Sequence, residues 1–134
     1  PQTGATAPFN IVGVSFPMQD ATTLTAAEAL EIKTATDAYN TTIQAAATTN
    51  NLAFVDAKAI MDQLGTATGI SGNGYTLTST FVTGGAFSLD GVHPSPRGYA
   101  LIANKFIEAI NKTYGSNLKG VSLADYRILF PKSL

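Results

Sequence analysis

The sequence predicts an α/β fold with parallel strands, and three observations carry that expectation. Apolar residues make up 45% of the 134 residues and charged residues 13%, enough for a core and too little charge for a disordered chain. Two short, nearly continuous apolar runs, Asn10 to Phe16 and Leu52 to Asp56, read as buried strands. Each precedes a segment of helical periodicity, which gives the strand–helix order of a parallel sheet.

Taken in order, residues 1–9 are rich in Pro, Gly, Ala and Thr and read as a loose arm ahead of an α/β body over 10–115. Pro17 ends the first expected strand. Thr25-Ala26-Ala27-Glu28 has capping-box spacing, so a long helix should follow to about Thr49, with an apolar stripe of Leu30, Ile32, Tyr39 and Ile43. Asn50-Asn51 ends it. Asp56, last residue of the second expected strand, is placed to cap a short helix from Ala57 to Leu64, with Gly65 just past its end. Residues 65–74 hold four Gly and read as a loop. Tyr75 to Val82 alternates as a strand or hairpin arm does, and Gly84-Gly85 breaks it.

From Pro96 to Tyr114 the pattern is helical again. Tyr99, Ile102, Ala103, Phe106, Ile107, Ile110 and Tyr114 form the expected apolar face, opposite Lys105, Glu108 and Lys112. Gly115 sits at the C′ position. Residues 116–134 read as a tail that docks through the cluster Tyr126 to Phe130. Two or three strands make a sheet too small to cover these helices, so the sheet is expected to be incomplete and the chain to be a part of a larger fold.

Composition excludes several classes of function. Cys is absent, which removes disulfide frameworks, iron–sulfur clusters and a thiol nucleophile. A net charge of −1 provides no basic field for nucleic acid. No apolar run reaches the roughly 18 residues that span a bilayer. The 20 Ala and 18 Thr, with little charge, suit an exported or cell-envelope protein. The opening Pro1-Gln2-Thr3-Gly4 contains no signal peptide and no Met, which suggests a processed or trimmed piece.

The single histidine, His93, lies in the segment Phe87-Ser88-Leu89-Asp90-Gly91-Val92-His93-Pro94-Ser95-Pro96-Arg97-Gly98-Tyr99. Three-residue spacing in a turn can bring the Asp90 carboxylate onto the imidazole. An Asp bonded to Nδ1–H fixes the tautomer and leaves Nε2 to take a proton from a hydroxyl. A lone His is more often a surface or packed residue; the Pro-rich turn and the strong helix behind it favour the chemical reading. Arg97 reads as a helix-surface residue rather than a contact to an anionic substrate.

Asp90-Gly91-Val92-His93-Pro94, with Gly98-Tyr99 following, resembles the last motif block of the SGNH (GDSL) serine hydrolases. The wider stretch from Leu24 through Asp90 resembles the C-terminal part of large GDSL-type lipase/esterase proteins of Bacteroidetes cell envelopes. The resemblance implies a flavodoxin-like three-layer α/β/α sandwich, of which this chain supplies the C-terminal portion. It implies hydrolysis of acyl esters with no metal or organic cofactor, His93 as general base, Asp90 as its orienting acid, and export as a lipoprotein. Tyr75, Phe81 and Phe87 then become candidate walls of an acyl pocket, with core packing as the alternative.

The family's nucleophile stands in a Gly-Asp-Ser or Gly-Asn-Ser motif, and neither occurs in this sequence. Gly13-Val14-Ser15 and Gly69-Ile70-Ser71 lack the surrounding pattern, and the oxyanion-hole Gly and Asn have no convincing counterpart. The expectation is therefore a partial triad, inactive alone, whose serine belongs to the remainder of the same hydrolase, in the same or a second chain. The competing expectation is a non-catalytic cell-envelope interaction or carbohydrate-binding module that keeps a hydrolase-like fold.

Overall fold

The computed structural model describes residue 6, residues 11–15 and residues 17–128. The chain divides into two units, residues 1–43 and residues 44–134. Apart from Thr6, the expected arm over 1–9 lies outside the described residues, as do both ends of the expected strand from Asn10 to Phe16.

In the first unit, residues 11–15 form a tight turn with a single β-bridge at Val12, and no continuous strand runs among these described residues. The Val14 and Ser15 amides both donate to the Ile11 carbonyl, at 3.1 and 2.9 Å. Ile11, Val12 and Val14 are exposed, so the described part of this run buries no strand face. A 3-10 turn, Asp20–Thr22, leads to helix α1, Ala26–Thr49, of which residues 26–43 belong to this unit and residues 44–49 to the second. The capping box forms as its spacing requires. The Thr25 amide donates to Glu28 Oε2 at 2.8 Å, and the Glu28 amide donates to Thr25 Oγ1 at 3.3 Å. The Thr25 amide, then its hydroxyl, hold the Glu28 carboxyl below its ordinary range. Thr34, Thr36, Thr41, Thr42 and Thr48 turn their hydroxyls back onto the carbonyl four residues earlier, which satisfies each donor without any tertiary partner. The stripe residues Leu30, Ile32, Tyr39 and Ile43 are each more than half exposed.

The second unit carries the core. Leu64, Ile70, Leu77, Ala86, Ala100, Leu101 and Leu123 are buried together, with Ile60, Tyr75, Phe87 and Val121 packed against them. Leu52 to Asp56 runs without a strand partner among the described residues, so its half-buried Phe54 and Val55 sit in a connector, not in a sheet. Its last residue does what the sequence requires: Asp56 Oδ1 accepts from the Ala59 amide at 2.9 Å and caps α2, Ala57–Leu64. Strands β1, Ile70–Gly72, and β2, Tyr75–Leu77, pair antiparallel, with Ile70 opposite Leu77 and Gly72 opposite Tyr75. The turn between them is Asn73-Gly74, with φ of 50° and 79°, the left-handed pair a two-residue hairpin turn needs. The loop expected over 65–74 thus contains a strand, and the arm expected from Tyr75 to Val82 ends at Leu77.

Helix α3, Pro96–Tyr114, begins where the sequence places it. Ser95 is fully buried; its hydroxyl donates to the Gly85 carbonyl at 2.6 Å and accepts from the Gly98 amide at 3.0 Å. Pro96 at the first helical position has no amide to satisfy. Gly98 allows the helix to lie on residue 86, since a Cβ there would stand 2.1 Å from the Ala86 carbonyl oxygen. The buried face differs from the expected one. Arg97, Gly98, Ala100 and Leu101 are buried, whereas Tyr99, Phe106 and Tyr114 are about half exposed.

Residues 116–128 return along α3 on a polar ladder. Asn111 Nδ2 donates to the Leu118 carbonyl at 2.9 Å while its Oδ1 accepts from the Leu118 amide at 2.8 Å. Asn104 holds Val121 in the same two-bond way, both at 2.8 Å. Leu123, in the 3-10 turn Leu123–Asp125, is the residue that enters the core, at 1% exposure. Leu129 and Phe130, the end of the cluster expected to dock, lie outside the described residues.

Candidate active site

The loop ahead of α3 is a small closed hairpin. Phe87 bridges Pro94 antiparallel, the Ser88 amide donates to the His93 carbonyl at 2.8 Å, and the Ser95 amide donates to the Ala86 carbonyl at 2.9 Å. Gly91, at φ 72°, closes the inner turn by donating to the Ser88 carbonyl at 3.0 Å. Asp90 and His93 therefore sit on one short loop, braced from both sides by the core unit.

Asp90 is the centre of this loop. Its Oδ1 accepts from the Ser88 hydroxyl at 2.6 Å and from the Val92 and His93 amides at 2.9 Å each. Its Oδ2 lies 2.6 Å from His93 Nδ1. The Ser88 hydroxyl, the Val92 amide, the His93 ring and the His93 amide, in that order, hold the Asp90 carboxyl well below the usual carboxylate range. An ionised carboxylate only accepts, so the hydrogen between the two side chains belongs to Nδ1. In the neutral ring this makes Nε2 the acceptor. The pair is open to solvent, with side chains 71% and 49% exposed, so its worth lies in geometry more than in binding strength.

Val92 and Pro94, on either side of His93, line an apolar cavity of about 180 Å3 together with Ile60, Met61 and Phe87. Of the three aromatics weighed as pocket walls, Phe87 belongs to this cavity. Phe81 is exposed beside Gly91, and the Tyr75 ring lies under Arg97.

Arg97 departs from its expected surface position. It is buried, and its Nε donates to the Leu123 and Tyr126 carbonyls at 2.9 and 3.0 Å. The signal was present in the heptad spacing of Arg97, Asn104 and Asn111: these three polar residues form one stripe of α3, and all three hold the returning tail. Serine placement is equally definite. Ser88 bonds the acid and Ser95 is buried as a helix cap. No described serine hydroxyl is bonded to His93.

The family model for GDSL-like lipase/acylhydrolase matches residues 4–106, a span that includes Asp90 and His93. The chain belongs to this family of α/β acyl-ester hydrolases, the SGNH/GDSL class. No curated protein and no solved structure matches the chain.

Proposed function

We propose that Asp90 and His93 are the acid and base of a Ser-His-Asp triad that hydrolyses acyl esters, completed by a serine outside this chain. The observation that carries this reading is the 2.6 Å contact between Asp90 Oδ2 and His93 Nδ1. It leaves Nε2 to accept the serine proton as the hydroxyl oxygen attacks the ester carbonyl, and to return it to the departing alcohol. Water then repeats the sequence on the acyl-serine. The absence of a Gly-Asp-Ser or Gly-Asn-Ser motif supports placing the nucleophile and the oxyanion donors in another part of the same hydrolase. On this reading the chain is one C-terminal segment of an exported cell-envelope enzyme. The Ala- and Thr-rich, weakly charged composition agrees with that setting.

The test pairs two preparations. Intact mass and N-terminal sequencing establish what accompanies residues 1–134, and a fluorophosphonate probe then reports any activated serine. The chain alone should neither label nor cleave a p-nitrophenyl ester. The completed hydrolase should do both, and His93→Ala in it should lower kcat by several orders of magnitude. A completed protein that never labels sinks the triad reading in favour of a non-catalytic envelope module.

A further inference from the structure

Arg97 brings a positive charge into the core that no described residue neutralises. It is 6% exposed, and no carboxylate among the described residues lies within 4.0 Å of it. Charged side chains are almost never buried without a partner. Nε is spent on two carbonyls, and the guanidinium carbon lies 3.7 Å from the centre of the Tyr75 ring. These contacts occupy one edge and one face of the fork. Among the described residues neither Nη nitrogen has a hydrogen-bond partner. Among the described residues no sealed side-chain nitrogen or oxygen lacks one, so the Nη pair keeps contact with solvent-accessible space.

That space is a cavity of about 240 Å3 lined by Arg97, Tyr75, Thr76, Leu77, Thr83 and Ile128, among others. It shares no residue with the Asp90–His93 loop. We infer that it is a binding site for a small organic carboxylate, anchored on the Nη edge of Arg97. The planar fork offers two parallel N–H donors, the arrangement that matches a carboxylate bidentately. One cation balances a monoanion. The Thr83 hydroxyl, which bonds no described group, provides a third donor, while Leu77 and Ile128 provide an apolar wall for a carbon stem. At about 30 Å3 per water-sized group, the cavity holds about eight such groups, the size of a short-chain acid.

The site goes beyond the hydrolase reading and can be tested without it. The intact chain is titrated with sodium butyrate, and in parallel with sodium sulfate, at constant ionic strength, while NMR follows the Arg97 Nε–H, Thr83 and Ile128 signals. Butyrate should give a saturable shift with a millimolar midpoint, at least tenfold weaker in Arg97→Lys. Because that variant also loosens the tail, Thr83→Glu is the second arm. It places a carboxylate in the cavity and leaves the bonds to Leu123 and Tyr126 intact, so butyrate response should vanish while the tail amide signals stay in place. A butyrate shift that never saturates, one that persists in Thr83→Glu, or saturation by sulfate with butyrate silent overturns the inference.

Discussion

Across its 24 residues α1 buries one side chain, Ala47, whereas the 19-residue α3 buries Arg97, Gly98, Ala100 and Leu101 within its first two turns. Both helices are capped by a hydroxyl and both follow from sequence, yet they are held by different means. What fixes α1 is mostly local: the Thr25–Glu28 box, the Thr hydroxyls bonded one turn back, and the Lys33–Asp37 pair. What fixes α3 is distant in sequence: residue 86 against Gly98, residue 123 in the core, residues 118 and 121 on its asparagines. The contrast teaches that a clear helical pattern says where a helix lies and little about what stabilises it.

The strongest challenge to this contrast is Gly98→Ala. Its methyl would meet the Ala86 carbonyl at 2.1 Å, and backbone on both sides cannot yield cheaply. We expect a loss of about 3 kcal/mol or more, seen as a lost cooperative thermal transition of the core unit. Leu123→Ala removes a side chain 1% exposed and should cost about 2–5 kcal/mol in denaturant unfolding. Ser95→Ala deletes a helix cap and leaves the buried Gly85 carbonyl short of a donor, for about 1–3 kcal/mol by the same measurement. Thr25→Ala should cost about 1 kcal/mol, confined to α1 and visible as faster amide exchange in its first turn. A Thr25→Ala loss as large as that of Leu123→Ala would erase the distinction between the two helices.

Asp90→Asn should change stability least and the site most. The folded carboxyl is depressed, so its stabilising contribution is present above the ordinary carboxylate pKa of about 3.9 and is lost as pH falls through the lower folded value. The His93 Nδ1–H resonance should therefore persist from neutral pH down to about pH 4 in the native chain. It should shift or broaden at all pH values in Asp90→Asn. Equal behaviour of the two proteins would mean that the Asp90 charge does not hold the ring.

Helix starts were legible because their signals are local: Thr25-Ala26-Ala27-Glu28, Asp56 before Ala57, and Ser95-Pro96 each spell out a cap within four residues. Asp90 and His93 were legible for the same reason, since one short loop brings them together. Strands were harder, because an apolar run becomes a strand only through a neighbour. Leu52 to Asp56 and residues 11–15 are apolar enough but have no ladder partner among the described residues. The hairpin that does form is announced by Asn73-Gly74, a turn signal hidden among the glycines of 65–74. Arg97 was misplaced because charge alone argued for solvent, while its partners, the carbonyls of residues 123 and 126, lie almost thirty residues on.

The asparagine ladder has a consequence for how the chain can be divided. Asn104 and Asn111 stand seven residues apart, about 10 Å along a helix. The residues they grip, Leu118 and Val121, are three apart, and three residues of extended chain span about 10 Å as well. Helix and returning segment are therefore matched in pitch, and neither match depends on the peptide bond that joins them. Cutting the link at Ser116 would leave residues 117–134 as a free peptide whose docking points on α3, Asn104 and Asn111, survive intact. The two pieces should recombine in solution, which makes this junction a natural place to split the protein into complementing halves.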